Sequence, residues 1–277
     1  MSARIRYAPV FILLYAVFSG SSLLNGAGGK EPADGPETVH LDPHFRPHLG
    51  TSYYKIELNR VDIGTGQISM QKEGNLYRIR YQARTNRKVD HVYRARYRGE
   101  GIMETDPLKP VRAELHQRVR SKTKETTIYF EENGRIITTE TKTEEGKETD
   151  NEVRETRSEG SALDPLSAIF LLQGIEWEQG KEKVLEVFTG KSHYEARFVC
   201  VDEVSLEISG TKKRAWVINH TYRNLDEKKE EQPEQKEPWL KIYVSSEEYP
   251  DVLKVETTRK IGHITFTLDR FEPAPDQ

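Results

Sequence analysis

The feature that most constrains this chain is a period of two. Tyr77, Ile79, Tyr81 and Ala83 alternate with Arg78, Arg80, Gln82 and Arg84, and Tyr93, Ala95 and Tyr97 with Arg94, Arg96 and Arg98. Val111, Ala113 and Leu115 are separated by Arg112 and Glu114. The pattern resumes at Tyr194, Ala196, Phe198 and Cys200, at Val204, Leu206 and Ile208, and at Trp216, Ile218, His220 and Tyr222. It closes with Leu240, Ile242 and Val244, Leu253 and Val255, and Ile264, Phe266 and Leu268. Every second side chain of a strand lies on one face, so these runs are strands with one apolar and one polar face. Asn133-Gly134 between two β-rich runs is a hairpin turn signal. The expectation is a mainly β fold of roughly ten to twelve antiparallel strands, a curved sheet, half-barrel or barrel-like meander. Only 35% of the residues are hydrophobic and 31% are charged, which suits sheets with one wet face.

One segment departs from that period. In LDPLSAIFLLQ, Leu163 to Gln173, Asp164 is a helix cap, Pro165 a first helical residue and Gly174 a stop. Leu166, Ile169, Phe170, Leu171 and Leu172 cover most of its circumference, so this single helix is expected to be buried against the concave face of the sheet or at one end of a barrel. Two stretches are poor in core material. Thr138 to Glu159 is expected to be an exposed hairpin arm or a loop, and Asp226 to Glu237 a solvated loop. Strands continue on both sides of each, so 50–273 reads as one domain.

The N-terminus carries Arg4 and Arg6, then an uncharged apolar run from Ala8 to Phe18, then the small residues Ser19–Ser22 and Gly26–Gly29. This is the layout of a secretory signal peptide over 1–27, with a cut near Ala27. Extended through Leu23 and Leu24, the same run also reads as an uncleaved anchor, which would be the one membrane contact. Residues 28–49 read as a flexible linker. The chain is therefore expected to be exported, to the periplasm or a cell surface. Cys200 is the single cysteine, so the domain must hold together without an internal disulfide. Lys plus Arg number 42 against 45 Asp plus Glu, a balance that gives no support to a nucleic-acid binder.

Chemistry-bearing motifs are sparse. His40, His44 and His48 recur every fourth residue, but Pro43 and Pro47 interrupt the helix that would align them, and an extended linker is preferred to a metal site. Cys200, between Val199 and Val201, reads as a buried inert thiol; as a nucleophile it would need His193 or His220 beside it. No P-loop, dinucleotide fingerprint, nucleophile elbow or zinc-protease helix is present. The expectation is a non-enzymatic protein without cofactor or metal. The arginines Arg78, Arg80 and Arg84, with Arg94, Arg96 and Arg98 on the next strand, offer two readings. They form an anion-binding surface for phosphate or carboxylate groups, or a solvated face neutralised by acids such as Glu100 or Glu114.

The runs YYKIELNRVDIGTG, DPLSAIFLLQG, VFTGKSHYEARFVC and LKIYVSSEEYPDVLKVETTRKIGHITFTLDRF, between Tyr53 and Phe271, resemble the exported bacterial family called domain of unknown function 3108. The resemblance implies a secreted β-rich protein of a Gram-negative bacterium and no particular activity; the acidic stretch Asp226 to Glu237 departs from the family's compact pattern. Strands plus one apolar helix are also similar in arrangement to periplasmic lipoprotein carriers of the LolA and LolB type, an analogy of fold alone. On that analogy Tyr77, Ile79, Tyr81, Tyr93, Tyr97, Phe170, Leu171, Phe198, Trp216 and Phe266 would line a cavity for a lipid, acyl chain or lipoprotein. The alternative is an envelope scaffold that uses the arginine-rich face to hold a protein or an anionic polysaccharide.

Overall fold

A computed structural model describes residues 47–158, 162–226, 240–259 and 262–274. The first half of the chain is a meander of eight strands: β1 (Gly50–Leu58), β2 (Val61–Glu73), β3 (Leu76–Thr85), β4 (Ala95–Thr105), β5 (Leu108–Val119), β6 (Lys122–Phe130), β7 (Arg135–Glu144) and β8 (Lys147–Arg157). The second half is a meander of six: β9 (Glu182–Phe188), β10 (His193–Ile208), β11 (Thr211–Asn224), β12 (Leu240–Ser245), β13 (Val252–Arg259) and β14 (Gly262–Pro273). Each strand pairs antiparallel with its sequence neighbour, and β1 pairs with β14, so the order is β8-β7-β6-β5-β4-β3-β2-β1-β14-β13-β12-β11-β10-β9. The one sequential pair left unjoined is β8 and β9, and the buried helix lies between them in the chain.

That helix, Pro165–Leu172, follows a single-turn helix α1 (Arg87–Asp90) and is α2. Asp164 caps it, its carboxylate accepting from the amides of Leu166 (2.9 Å) and Ser167 (3.2 Å) and from the Ser167 hydroxyl. The Gly174 amide donates back to the Leu171 carbonyl. α2 packs against β3, β4 and β9. Gly101 on β4 makes this possible, since a Cβ there would stand 3.3 Å from both the Asp164 carboxylate and the Leu166 side chain. Gly99 does the same for Tyr81, whose ring occupies the space a Cβ would need. Phe170 meets Tyr77 with ring centroids 5.0 Å apart. The apolar faces of β1–β5 and β9–β14 wrap the helix into one core in which Phe170, Leu172, Ile56 and Ile79 are essentially inaccessible.

The hydrogen-bond ladder does not close, but the two edges meet through side chains. Leu163 bridges Val187 in parallel on the free edge of β9. The Ser158 hydroxyl donates to Glu186 (2.9 Å), and His193 lies 2.8 Å from Glu186 and 3.3 Å from Thr156. No helix among the described residues is long and apolar enough to cross a membrane, which says nothing of a strand-built span.

The structure corrects several expectations. Among the described residues there are fourteen strands rather than ten to twelve, and the charged arm completes the hairpin β7–β8, adding ladder without apolar alternation. Thr138 and Glu140 in that arm are buried, not exposed. Burial works to raise the Glu140 carboxyl's pKa, but the ammoniums of Lys124 (2.6 Å) and Lys142 (3.1 Å) outweigh it and hold the group below its usual value. β10 is one long strand, not two, with a bulge between Cys200 and Asp202 that turns Val201 outward. β4 begins at Ala95, after α1 and a turn at 91–92, so Tyr93 and Arg94 precede the strand, although Tyr93 still packs against the apolar core. Residues 47–49 belong to the domain rather than to a linker. His48 stacks between Phe271 (3.7 Å) and Tyr249 (4.5 Å) with Nδ1 2.9 Å from Asp251, and the Ala274 amide donates to the Leu49 carbonyl. The leader, His40, His44, the remaining linker and residues 227–237 of the acidic stretch lie outside the described residues.

Candidate functional site

The polar face of the sheet is built by register. Residues directly opposite on neighbouring antiparallel strands point the same way, with strands about 4.8 Å apart and same-face residues about 6.7 Å apart along a strand. One row across the sheet reads Lys55, Thr65, Arg84, Arg96, Arg118 and Thr123, each opposite the next. The adjacent row reads Arg270, Tyr53, Gln67, Gln82, Arg98, His116 and Glu125. Together they floor an open groove of about 900 Å³ running from β14 to β5. Six cationic side chains border it against the carboxylates of Asp62 and Asp269.

Many of these charges are already engaged. Lys55 pairs with Asp269 at 2.6 Å, and Arg270 lies 3.8 Å over the Tyr53 ring and 3.0 Å from Glu272. Asp62 accepts from the Gly64 amide at 3.0 Å. His116 lies 2.7 Å from Glu125. Arg96 is bound by Asp90, whose carboxyl also takes the Thr85 hydroxyl; the Arg96 hydrogen bond, chiefly, pulls the Asp90 pKa down to about 2. Arg84, Arg98 and Arg118 are exposed and have no carboxylate partner among the described residues. Four guanidiniums therefore crowd onto three strands with one acid among them.

Further along the same strands the charges balance. Arg78 holds Glu73 through Nε and Nη2 (3.0 and 2.9 Å) and Glu100 through Nη1 (2.5 Å), and Arg80 takes the other Glu100 oxygen at 2.5 Å. Arg112 pairs with Glu114. The expected arginine cluster is thus split: Arg78 and Arg80 are neutralised, while Arg84, Arg96 and Arg98 enter the groove. The sequence reading missed Arg118, His116, Gln67, Tyr53 and Arg270; Arg118 continues the alternation of Arg112, Glu114 and His116 and was within reach, whereas the others join only through register.

The interior residues assigned to a lipid cavity are brought together, in a packed arrangement. Tyr77, Ile79, Tyr81, Tyr97, Phe170, Leu171, Phe198 and Phe266 are buried in one apolar cluster with α2, and Tyr93 and Trp216 pack against it partly exposed. Cys200 is fully buried, and burial raises its thiol pKa, the reverse of what activates a nucleophile. His193 faces Glu186, and His220 lies against Phe198 (4.7 Å) with its imidazole pKa pushed down to about 3, chiefly by burial. Among the described residues no group of three or more His, Cys, Asp or Glu is placed to hold a metal.

A solved structure from Brucella abortus, described as a beta-barrel-like protein of domain of unknown function DUF1849, superposes with a TM-score of 0.52 at 10% identity, covering 83% of this chain and 100% of the other. At that identity the likeness speaks for fold alone. No curated protein matches the sequence. The family model described as "Protein of unknown function (DUF3108)" matches residues 53–269, and the chain belongs to that family.

Proposed function

We propose that this chain is a non-enzymatic, exported protein of the bacterial envelope that holds an anionic partner in the groove over β1–β5 and β14. The observation that carries this reading is the row Arg84, Arg96 and Arg118, three arginines directly opposite one another on adjacent strands with only Asp90 between them. Like charges in directly opposed positions destabilise a sheet. An anionic group seated on them removes that cost and gains charge-assisted hydrogen bonds. The basic n-region and apolar run of the leader support export. An acyl chain in the interior has less support, because the residues proposed to line such a cavity are packed against one another and against α2.

The test is binding of immobilised heparin, a generic polyanion, across a salt series. Retention by the parent protein that weakens with salt, and its loss in Arg84→Gln/Arg118→Gln, is expected. Equal retention of the parent and of this variant would sink the proposal.

A further inference from the structure

Resting on the reading above, we infer that the groove's ligand is a phosphorylated saccharide, its phosphoryl group on the arginine corner and its sugar ring over the neutral floor. The first part follows from charge and geometry. Arg84, Arg96, Arg98 and Arg118 lie within about 10 Å of one another, given the strand spacing. After Asp90 is counted, three positive charges remain unanswered. A carboxylate has one charge and two oxygens, and takes one guanidinium in bidentate fashion or two through one oxygen each, as Glu100 does with Arg78 and Arg80. A phosphoryl monoester carries about −1.5 to −2 and three acceptor oxygens, enough to bridge guanidiniums from three strands at once.

The second part follows from what lies beside that corner. Gln82 is opposite Arg98 on one side and Gln67 on the other, and Tyr53 is opposite Gln67. With Thr65 they form a floor of amides and hydroxyls that matches the hydroxyls of a sugar: the two amides and the Thr65 hydroxyl can donate and accept, and the Tyr53 hydroxyl, which donates to Glu272 at 2.8 Å, can accept. An acyl chain finds no large aliphatic side chain among the groove's lining residues. A nucleotide base would want an exposed aromatic face, and Arg270 already covers one face of Tyr53 at 3.8 Å.

The experiment is calorimetric titration of the purified full-length protein with glucose 1-phosphate, inorganic phosphate and glucuronate in turn. Glucose 1-phosphate is expected to bind about tenfold or more tightly than glucuronate, and more tightly than inorganic phosphate. Arg84→Gln/Arg118→Gln should weaken both phosphates by about tenfold or more. Gln67→Ala/Gln82→Ala should remove the advantage of the sugar phosphate over inorganic phosphate and leave the latter's binding as it was. Melting temperatures matched to the parent keep either loss from being a folding defect. Glucuronate binding as tightly as glucose 1-phosphate overturns the phosphosugar assignment while the anionic reading stands. Failure of heparin and of all three small ligands overturns both. Co-sedimentation with phosphatidylcholine vesicles carrying a phosphorylated glycolipid separates the sources: capture assigns a lipid-linked sugar phosphate, and soluble binding without capture assigns a free one, both within the proposal.

Discussion

The polar face of β3–β5 has two ends built from nearly the same residues, and they dispose of their charge in opposite ways. At one end Arg78, Arg80 and Arg112 meet Glu73, Glu100 and Glu114, three cations against three anions within hydrogen-bond reach. At the other, Arg84, Arg96, Arg98 and Arg118 stand together, and among the described residues only Arg96 has a carboxylate partner, Asp90. Both lie on the same antiparallel strands, so the difference lies in where acids stand: Glu100 directly opposite Arg80, Glu73 across the β2–β3 turn from Arg78, and Glu114 two residues along β5 from Arg112. An arginine-rich strand is therefore not in itself a binding surface. The proposed site lies where register leaves it opposite more arginine.

The largest effect is expected where the comparison should not reach. Phe170→Ala empties the centre of the apolar core on the opposite side of the sheet and should cost about 3–5 kcal/mol in urea denaturation. Groove affinity measured under native conditions should be unchanged. A matching fall in anion affinity would show that the two ends differ through the interior rather than through local charge.

Next comes Glu100→Gln, which makes the balanced end resemble the open one. Arg78 and Arg80 both lose a carboxylate oxygen held at 2.5 Å, although Arg78 keeps Glu73. With Glu100 about a quarter exposed, a loss of roughly 1 kcal/mol is expected, together with a second, weaker anion site on the same face. An unaltered number of bound anions would break the claim that acid placement alone distinguishes the ends.

Acid titration tests the open end from the other side. Asp90 has a folded pKa of about 2, below its ordinary 3.8, so its contribution to stability is present above pH 3.8 and is lost as pH falls through about 2. The stability of the parent over Asp90→Asn should accordingly be constant near neutrality and shrink below pH 4. Because removing Asp90 leaves Arg96 without its acid, the same variant should bind anions more tightly at pH 7. Weaker binding would mean that Asp90 is needed to aim Arg96, and that the row works through orientation rather than net charge.

How much of this was legible beforehand differs between the two ends for one physical reason. Alternation in Tyr77–Arg84 and Ala95–Arg98 shows which residues face water, and that reading holds on β3 and β4. The capped helix from Asp164 was equally plain, since its signals are local. Partnering across strands is not local. That Glu100 stands opposite Arg80 while Arg96 stands opposite Arg84 depends on the length of the β3–β4 connection, which contains α1 and which alternation does not measure. Arg94 falls in that connection, one residue before β4. The β7–β8 arm was ambiguous because its inner face is held by an ionic network around Glu140 instead of by apolar side chains, leaving no hydrophobic period to read.

The smallest predicted effect is the sharpest test of the comparison. Thr123 on β6 lies directly opposite Arg118, at the rim of the open end. Thr123→Glu would supply the carboxylate that this end lacks without touching any arginine or the core. An opposite-charge cross-strand pair contributes roughly 0.2–1 kcal/mol, so a slight gain in stability is expected by urea denaturation. Anion affinity should fall severalfold, since one of the open guanidiniums becomes engaged, and less than it falls on removing Arg84 and Arg118 outright. Added salt should erase the stability gain, the pair being exposed to solvent. If stability rises and affinity does not fall, Arg118 lies outside the binding corner, and the site contracts to Arg84, Arg96 and Arg98 on two strands. If affinity falls with no gain in stability, the open end was already relieved of its repulsion by solvent, and the anion is held by hydrogen-bond geometry more than by excess charge.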